Sequence, residues 1–136
     1  SRFVIGVCNG VALLGAAGLL HGKTVASNFA AEALLRDLGA KEVLPSGAGV
    51  AEDGNLFTAG PGIGSFEVAL RVMEAAFGRG MAEFVEFAIE YDPHPPYGRA
   101  TVDKADPEVV QQCRGLLSTI IEQYRKTPSE LSRRPD

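Results

Sequence analysis

The sequence lacks the cysteine and basic-residue patterns that mark several classes of protein. It has two cysteines, Cys8 and Cys113, in very different sequence contexts, which argues against a disulfide between them. They lack a Cys-x-x-Cys spacing, which argues against a structural zinc site. The net charge is −4 and no basic stripe is present, so nucleic acid is not an expected partner. We expect no bound metal, and the two thiols favour a reducing, cytoplasmic location.

Long hydrophobic runs are also missing. None reaches the ~18 residues that a membrane-spanning helix requires, because the longest, at residues 11–20, is interrupted by Gly15 and Gly18. The first residues carry neither the basic segment nor the small-residue cleavage site of a secretory signal. We therefore expect no membrane association. What the sequence does have is 46% apolar and 22% charged residues, in a length that suits one globular domain.

Predicted strands and helices alternate along the chain, which predicts an α/β sandwich. Short apolar runs and the Asp53-Gly54 turn predict strands at residues 3–7, 24–26, 42–44, 50–51 and 56–59. Apolar periodicity and cap residues predict helices at residues 11–20, 30–38, 65 to about 77, 81–90 and 107 to about 126. The first strand is apolar throughout, so we expect both of its faces to be buried within a parallel sheet.

One segment between a predicted strand and a predicted helix carries chemistry. Gly6-Val7-Cys8-Asn9-Gly10 has the spacing and context of a nucleophile elbow, with cysteine as the nucleophile. In such a turn the nucleophile has a strained backbone, and small residues two positions before and after it let strand and helix approach. The thiol then lies at the edge of the sheet where open α/β sheets bind ligands. The alternative is a buried structural cysteine, which is a common role for this residue.

The helix predicted after Cys8 adds electrostatic support. Partial positive charge on its first amides favours the thiolate form, and the Asn9 N–H is placed to donate to an oxyanion. Cys8 and Asn9 are therefore the predicted catalytic residues. Cys113 instead falls on the apolar stripe of the last predicted helix, where we expect it to be buried and inert.

Three segments, GVCNGVALLGAAGLLHGKTVASNF, DGNLFTAGPGIGSFEVAL and FAIEYDPHPPYG, together resemble the ThiJ/PfpI superfamily of the class I glutamine-amidotransferase-like fold. The isonitrile hydratase branch is the most similar, and the likeness extends over about residues 3–100. The resemblance implies a flavodoxin-like three-layer sandwich with a mostly parallel sheet. It also implies that residues 1–126 are the C-terminal part of one domain, followed by a polar tail at 127–136. The strands that precede the elbow in the family are expected to be missing or supplied by another chain.

The resemblance places Cys8 at the family's nucleophile position, and its neighbours depart from the family pattern. Asn9 replaces a usual threonine and Asn28 replaces a frequent histidine. Asn28 is a candidate for orienting substrate, and Gly62, in a Gly-rich loop, is a candidate second oxyanion donor. His94 lies in a Pro-rich loop that comes near the active site or a dimer contact in the family. The alternative interpretation is that His94 is a solvent-facing loop residue without a role in the site.

The function implied by the resemblance is that of a cysteine-dependent hydratase or hydrolase. Its substrate is a small electrophile such as an isonitrile, an amide or an aldehyde, and no cofactor is expected. A catalytically altered ligand-binding or regulatory domain is one alternative. A stress-response or redox-sensing protein, in which Cys8 is oxidised, is another. The expected protein partner is a second copy in a homodimer, or a complementing N-terminal chain or segment.

Overall fold

Five short strands form the centre of the fold. The computed structural model describes the backbone of residues 1–131 and the side chains of residues 1–126. The strands are β1 (Val4–Val7), β2 (Thr24–Val25), β3 (Glu42–Val43), β4 (Ala51–Asp53) and β5 (Leu56–Ala59). Strand β5 lies between β1, with which it is parallel, and β4, with which it is antiparallel. Strands β2 and β3 form a separate parallel pair.

Five helices complete the described part of the chain. They are α1 (Gly10–Ala16), α2 (Glu32–Asp37), α3 (Gly64–Phe77), α4 (Arg79–Ala88) and α5 (Pro107–Leu131). Helices lie on both faces of the β1-β5-β4 sheet, so the mixed α/β architecture that the sequence predicts is present. The predicted Asp53-Gly54 hairpin is also confirmed, since β4 and β5 flank it.

Several helix boundaries differ from the predictions. Helix α1 ends at Ala16 because Gly18 and Gly22 have left-handed φ angles of 77° and 72°, which a regular helix cannot continue. Ser65 does not cap α3, which begins at Gly64, and its Oγ donates to the Gly62 carbonyl instead. The predicted cap of α5 is confirmed, because Asp106 Oδ1 accepts the Glu108 N–H at 2.9 Å. Helix α5 continues to Leu131, into the predicted tail, and residues 132–136 of that tail lie outside the described residues.

One face of the sheet, which we call the α1–α2 face, holds most of the core. Alternate strand residues such as Val4 and Leu56 point to it, and helices α1, α2 and α5 cover it. The buried members of this cluster are Val11, Ala12, Leu20, Val25, Ala31, Leu34, Leu35, Ala40, Leu56 and Ile121. Burial of so many side chains against each other is the main stabilising contribution to the fold.

The opposite face, the α3–α4 face, is covered much less. Its buried cluster is Phe57, Ala59 and Val68, and α4 has no buried residue. Ile5 points to this face and is 47% exposed, so the prediction that both faces of β1 are buried is wrong. Helix α3 borders Ile5 through side chains such as Val72 but leaves it partly open to solvent. Large apolar side chains on the same layer are exposed as well, namely Phe66, Phe77, Met81, Phe84 and Phe87.

A polar contact joins α3 to the segment that follows α4. The Tyr91 hydroxyl donates to Glu67 Oε1 at 3.1 Å, and the Tyr91 ring stacks on Phe66. Partial burial and the neighbouring Glu67 carboxylate raise the pKa of Tyr91 to about 12. This tie fixes the chain after α4 against the first turn of α3.

Helix α5 presents only part of its predicted apolar stripe to the core. Val110 and Ile121 are buried, and Leu117 packs against the main cluster. Cys113 is exposed, so the prediction that it is buried is wrong. The stripe is wider than the groove it packs into, and Cys113 shares its exposed edge with Val109, Leu116 and Ile120. Among the described residues, no helix combines the length and hydropathy needed to cross a membrane.

Candidate active site

Cys8 has a backbone conformation that non-glycine residues rarely adopt. Its φ is 52°, and Glu90 is the other non-glycine residue with positive φ in the part of the chain that the structure describes. Three hydrogen bonds hold the peptide units on either side. The Cys8 N–H donates to the Ala59 carbonyl at 3.0 Å, and the Cys8 carbonyl accepts from Ser27 Oγ at 2.7 Å and from the Val11 N–H at 3.2 Å. The strained conformation expected of a nucleophile turn is thus present and clamped.

The two glycines around Cys8 differ in what they allow. A Cβ built on Gly6 would lie 2.8 Å from Leu14 Cδ1 and 3.3 Å from the Val11 Cα, so the missing side chain lets β1 and α1 approach. Nothing lies within 4 Å of a Cβ built on Gly10. The prediction that close packing requires a small residue is therefore confirmed for Gly6 and wrong for Gly10.

The segment after β2 carries Ser27 and Asn28 to Cys8. It is fixed against β5 because the Ala26 N–H donates to the hydroxyl of Thr58, which is fully buried, at 2.8 Å. Sequence reasoning missed both Thr58 and the role of Ser27. A hydroxyl residue within the otherwise apolar strand β5 was the available signal, since a buried polar side chain needs a partner.

Asn28 brings the two predicted asparagines together beside the thiol. It is only 4% exposed, and its Nδ2 lies 2.6 Å from Asn9 Oδ1 and 3.8 Å from Cys8 Sγ. Its Oδ1 accepts the Ala30 N–H at 3.1 Å. Cys8 and Asn9 are both partly exposed to solvent. Three of the predicted site residues therefore form one cluster.

Gly62 and His94 are not joined to this cluster by any contact recorded among residues 1–126. Gly62 has φ 60° in the loop after β5, a strand whose last residue accepts the Cys8 N–H. His94 is 81% exposed and lies 3.4 Å from Asp92. It belongs to a shallow surface cavity at the end of α4, lined by residues such as Glu86 and Tyr91. Their roles remain predictions.

A cavity of about 630 Å³ borders the cluster through Asn28 but does not include Cys8 in its lining. Its other walls include Phe29, the chain that follows β3, residues 101–104, and Arg114, whose guanidinium lies over the Phe29 ring. Within the described residues, no group of three or more His, Cys, Asp or Glu side chains is arranged to hold a metal ion. The side chains in contact with Cys8 are amides and a hydroxyl, which do not ionise at neutral pH and therefore cannot act as a general acid or base.

Comparison with known proteins shows likenesses that extend over most of this chain. No family model matches the sequence. The chain is 39% identical over 114 residues to the isonitrile hydratase of Pseudomonas putida, covering 84% of this chain and 49% of the relative. It superimposes on a ThiJ/PfpI family protein from Pseudomonas syringae with a TM-score of 0.81 and 26% identity, over 94% of this chain and 52% of that one. The likeness in sequence and the likeness in fold both support the ThiJ/PfpI superfamily.

A more distant likeness shows the fold alone. Drosophila melanogaster DJ-1beta matches with a TM-score of 0.59 and 22% identity, over 65% of this chain and 46% of that one. The mixed α/β arrangement fits the flavodoxin-like fold expected of the superfamily. The chain spans about half the length of the proteins it matches. Activities and partners of those full-length proteins are therefore treated below as proposals.

Proposed function

We propose that this protein is a cysteine-dependent hydratase or hydrolase of a small electrophile, with isonitrile hydration as the favoured reaction. The observation that carries the proposal is the conformation of Cys8. Cys8 has a left-handed backbone, is partly exposed, and lies in the turn between β1 and α1. The identity of 39% to an isonitrile hydratase supports the choice of reaction. Strain at a residue with a reactive side chain is typical of functional sites.

The reaction proceeds through a covalent adduct. Cys8 Sγ forms a bond to the isonitrile carbon while the thiol proton goes to that carbon, which gives a thioimidate. Water then adds to the same carbon, and one of its protons goes to the nitrogen. The C–S bond breaks, the second water proton restores the thiol, and an N-substituted formamide leaves. The sum is one isonitrile and one water consumed for each formamide formed.

The assigned roles follow from the groups near the thiol. The Asn9 N–H and a backbone N–H near Gly62 donate to the atom that becomes electron-rich. Asn28 lies beside the thiol, and His94 contributes only if its loop meets the site in an assembly. No carboxylate or imidazole among the described residues is recorded in contact with Cys8 Sγ, so the acid that moves protons is proposed to come from another segment or chain.

Replacement of Cys8 by serine tests the covalent step. We expect the rate of conversion of tert-butyl isonitrile to its formamide to fall by a factor of about 10³ or more, because an uncharged hydroxyl is a far weaker nucleophile. The matched control is Cys113→Ser, which changes an exposed thiol on α5 and leaves the rate unchanged. Turnover by Cys8→Ser at the wild-type rate would rule out the covalent route.

A second candidate is a ligand-binding or redox-sensing domain, and the uncharged surroundings of Cys8 favour it. The neighbouring amides can donate hydrogen bonds near Cys8, but they cannot take up the thiol proton as a base would. A thermal shift with isonitrile or aldehyde probes but no turnover would support the binding role. Rapid, selective conversion of Cys8 to a sulfinate by dilute peroxide, followed by mass spectrometry, would support the sensing role.

The exposed apolar side chains of the α3–α4 face fit a protein partner. We propose that a second copy of the chain, or a complementing N-terminal segment, covers this face, because contiguous exposed apolar surface marks interaction sites. The measurement is the molar mass by light scattering across a concentration series. A monomer at all concentrations would exclude the homodimer, and co-expression with an N-terminal segment would then test the other partner.

A further inference from the structure

We infer that Asn28 is a positioning residue that turns the Asn9 side chain so that its Nδ2, and not its Oδ1, faces the substrate at Cys8. The inference rests on the proposed function, and it adds to it a side-chain donor and the reason for that donor's orientation. Asn28 acts through Asn9 and does not itself contact the substrate. The inference depends on which hydrogen-bonding groups of the two amides are already occupied.

The orientation of Asn28 is set by the main chain. The Ala30 N–H can donate only to an acceptor, and it donates to Asn28 Oδ1 at 3.1 Å. The Asn28 Nδ2 must therefore point the other way. Its two hydrogens face Asn9 Oδ1 at 2.6 Å and Cys8 Sγ at 3.8 Å. Because the side chain is 4% exposed and both ends of its amide are engaged, it has no donor left for a substrate.

The orientation of Asn9 follows from that of Asn28. Asn28 offers a donor, so Asn9 must present its oxygen to it, and the Asn9 Nδ2 is left on the opposite end of the amide. No acceptor for this Nδ2 is recorded among residues 1–126. Asn9 is partly exposed and directly follows Cys8 in the chain. A relay of hydrogen bonds thus runs from the Ala30 N–H through the Asn28 and Asn9 side-chain amides to a free donor on the residue that follows Cys8.

Such a donor favours substrates of a definite class. The carbon attacked by Sγ must be bonded to a nitrogen or oxygen that gains electron density in the adduct, as in isonitriles, amides and aldehydes. The Asn9 Nδ2 stabilises that atom by a hydrogen bond while remaining neutral. Loss of one such donor costs on the order of 10²- to 10³-fold in kcat in sites of this type.

Asn28→Asp reverses the direction of the hydrogen bond between the side chains at positions 28 and 9, with little change in side-chain size. The carboxylate introduced by this substitution still accepts the Ala30 N–H, but it has no hydrogen for Asn9. Asn9 therefore turns its Nδ2 toward the carboxylate and its oxygen toward the substrate. We expect kcat for tert-butyl isonitrile to fall by roughly 10²-fold with a nearly unchanged KM. Asn55→Asp is the matched control, because Asn55 lies on the β4–β5 turn and donates to the Ser1 carbonyl. Its kcat stays at the wild-type value.

A double-mutant cycle separates positioning from a structural role. In an Asn9→Ala background, which lacks the free donor, Asn28→Asp is expected to lower kcat much less than it does with Asn9 present. The loss that remains is the direct effect of the carboxylate on Cys8 Sγ, which lies 3.8 Å from Asn28 Nδ2. A full additional loss in that background, or an unchanged kcat in Asn28→Asp alone, would overturn the inference. Melting temperatures of all four proteins verify that they are folded.

A measurement without substrate keeps this inference distinct from the proposed function. In ¹⁵N NMR spectra, the side-chain amide hydrogens of Asn9 should exchange rapidly with water in the wild type and slowly in Asn28→Asp. Slow exchange of the Asn9 amide in the wild type would overturn the proposed orientation. If Cys8→Ser keeps its turnover while the exchange pattern is as expected, the covalent mechanism is wrong and the relay stands as a structural fact. If Cys8→Ser is inactive and the exchange pattern is reversed, only the relay is wrong.

Discussion

The two faces of the β1-β5-β4 sheet are covered to very different degrees. On the α1–α2 face, Leu35 is completely buried in a cluster that spans three helices. On the α3–α4 face, Phe87 is 82% exposed and its whole helix contributes nothing to the core. The contacts that clamp Cys8 come from the segment after β2, from α1 and from the end of β5. Most contacts that hold the candidate site therefore come from elements of the well-covered face, whereas the other face leaves large apolar side chains exposed.

The largest expected effect is a difference in the free energy of unfolding between two truncations, one on each face of the sheet. Leu35→Ala leaves a cavity in the main cluster and should lower the free energy of unfolding by about 2–5 kcal/mol. Phe87→Ala removes an exposed ring and should change it by less than about 0.5 kcal/mol. Urea unfolding followed by circular dichroism measures both. A comparable loss in both variants would show that Phe87 is covered in solution.

A smaller effect is expected where β1 meets α1. Gly6→Ala places a Cβ against Leu14 and the Val11 main chain, so it should destabilise the fold by about 1–3 kcal/mol. It should also slow alkylation of Cys8 by iodoacetamide, because the turn must shift. Gly10→Ala is the control, since that position has room for a methyl group. If Gly10→Ala were as destabilising as Gly6→Ala, the spacing between β1 and α1 would differ from that described.

The smallest expected effect concerns Asp53, which joins β4 to β2. Its carboxylate accepts the Thr24 N–H at 2.9 Å and Lys23 Nζ at 3.0 Å, and these bonds hold the pKa of Asp53 below its ordinary value of 3.8. Because the pKa of Asp53 is lower in the folded state than in the unfolded state, the ionised carboxylate stabilises the fold at pH values above the unfolded-state pKa. This contribution disappears as the pH falls through the folded-state pKa.

Asp53→Asn tests that pH dependence. The wild type should melt at a higher temperature than the variant at neutral pH, and the difference should shrink as the pH falls below 3.8. The measurement is a series of thermal unfolding curves on both proteins over this range. A difference that does not change with pH would mean that the charge of Asp53 contributes nothing to the stability of the contact between β4 and β2.

Local patterns were sufficient to predict much of the fold and the strained backbone at Cys8. The Asp53-Gly54 turn, the Asp106 cap and the spacing around Cys8 each involve residues close in sequence, and each predicted a feature that the structure contains. The contacts of Ser27 with Cys8 and of Ala26 with Thr58 were not predictable in this way. They join residues 19 and 32 positions apart, and only the packing of β2 beside β5 brings them together.

The predictions that failed concern burial. Apolar character alone indicated that Ile5 and Cys113 would be buried, but exposure depends on whether another element reaches them. The sequence pattern of α5 has no feature that distinguishes Ile121, which meets the core, from Ile120, which does not. Such differences are set by the angle at which a helix crosses its neighbours, and periodicity does not determine that angle.

The left-handed backbone at Cys8 has a consequence for protein engineering. Glycine adopts this conformation without steric cost, whereas serine and alanine retain the Cβ that opposes it. A selection for heat resistance alone would therefore enrich variants that carry glycine at this position and have lost their sulfur. Screens on this protein need a reactivity readout alongside the thermal one.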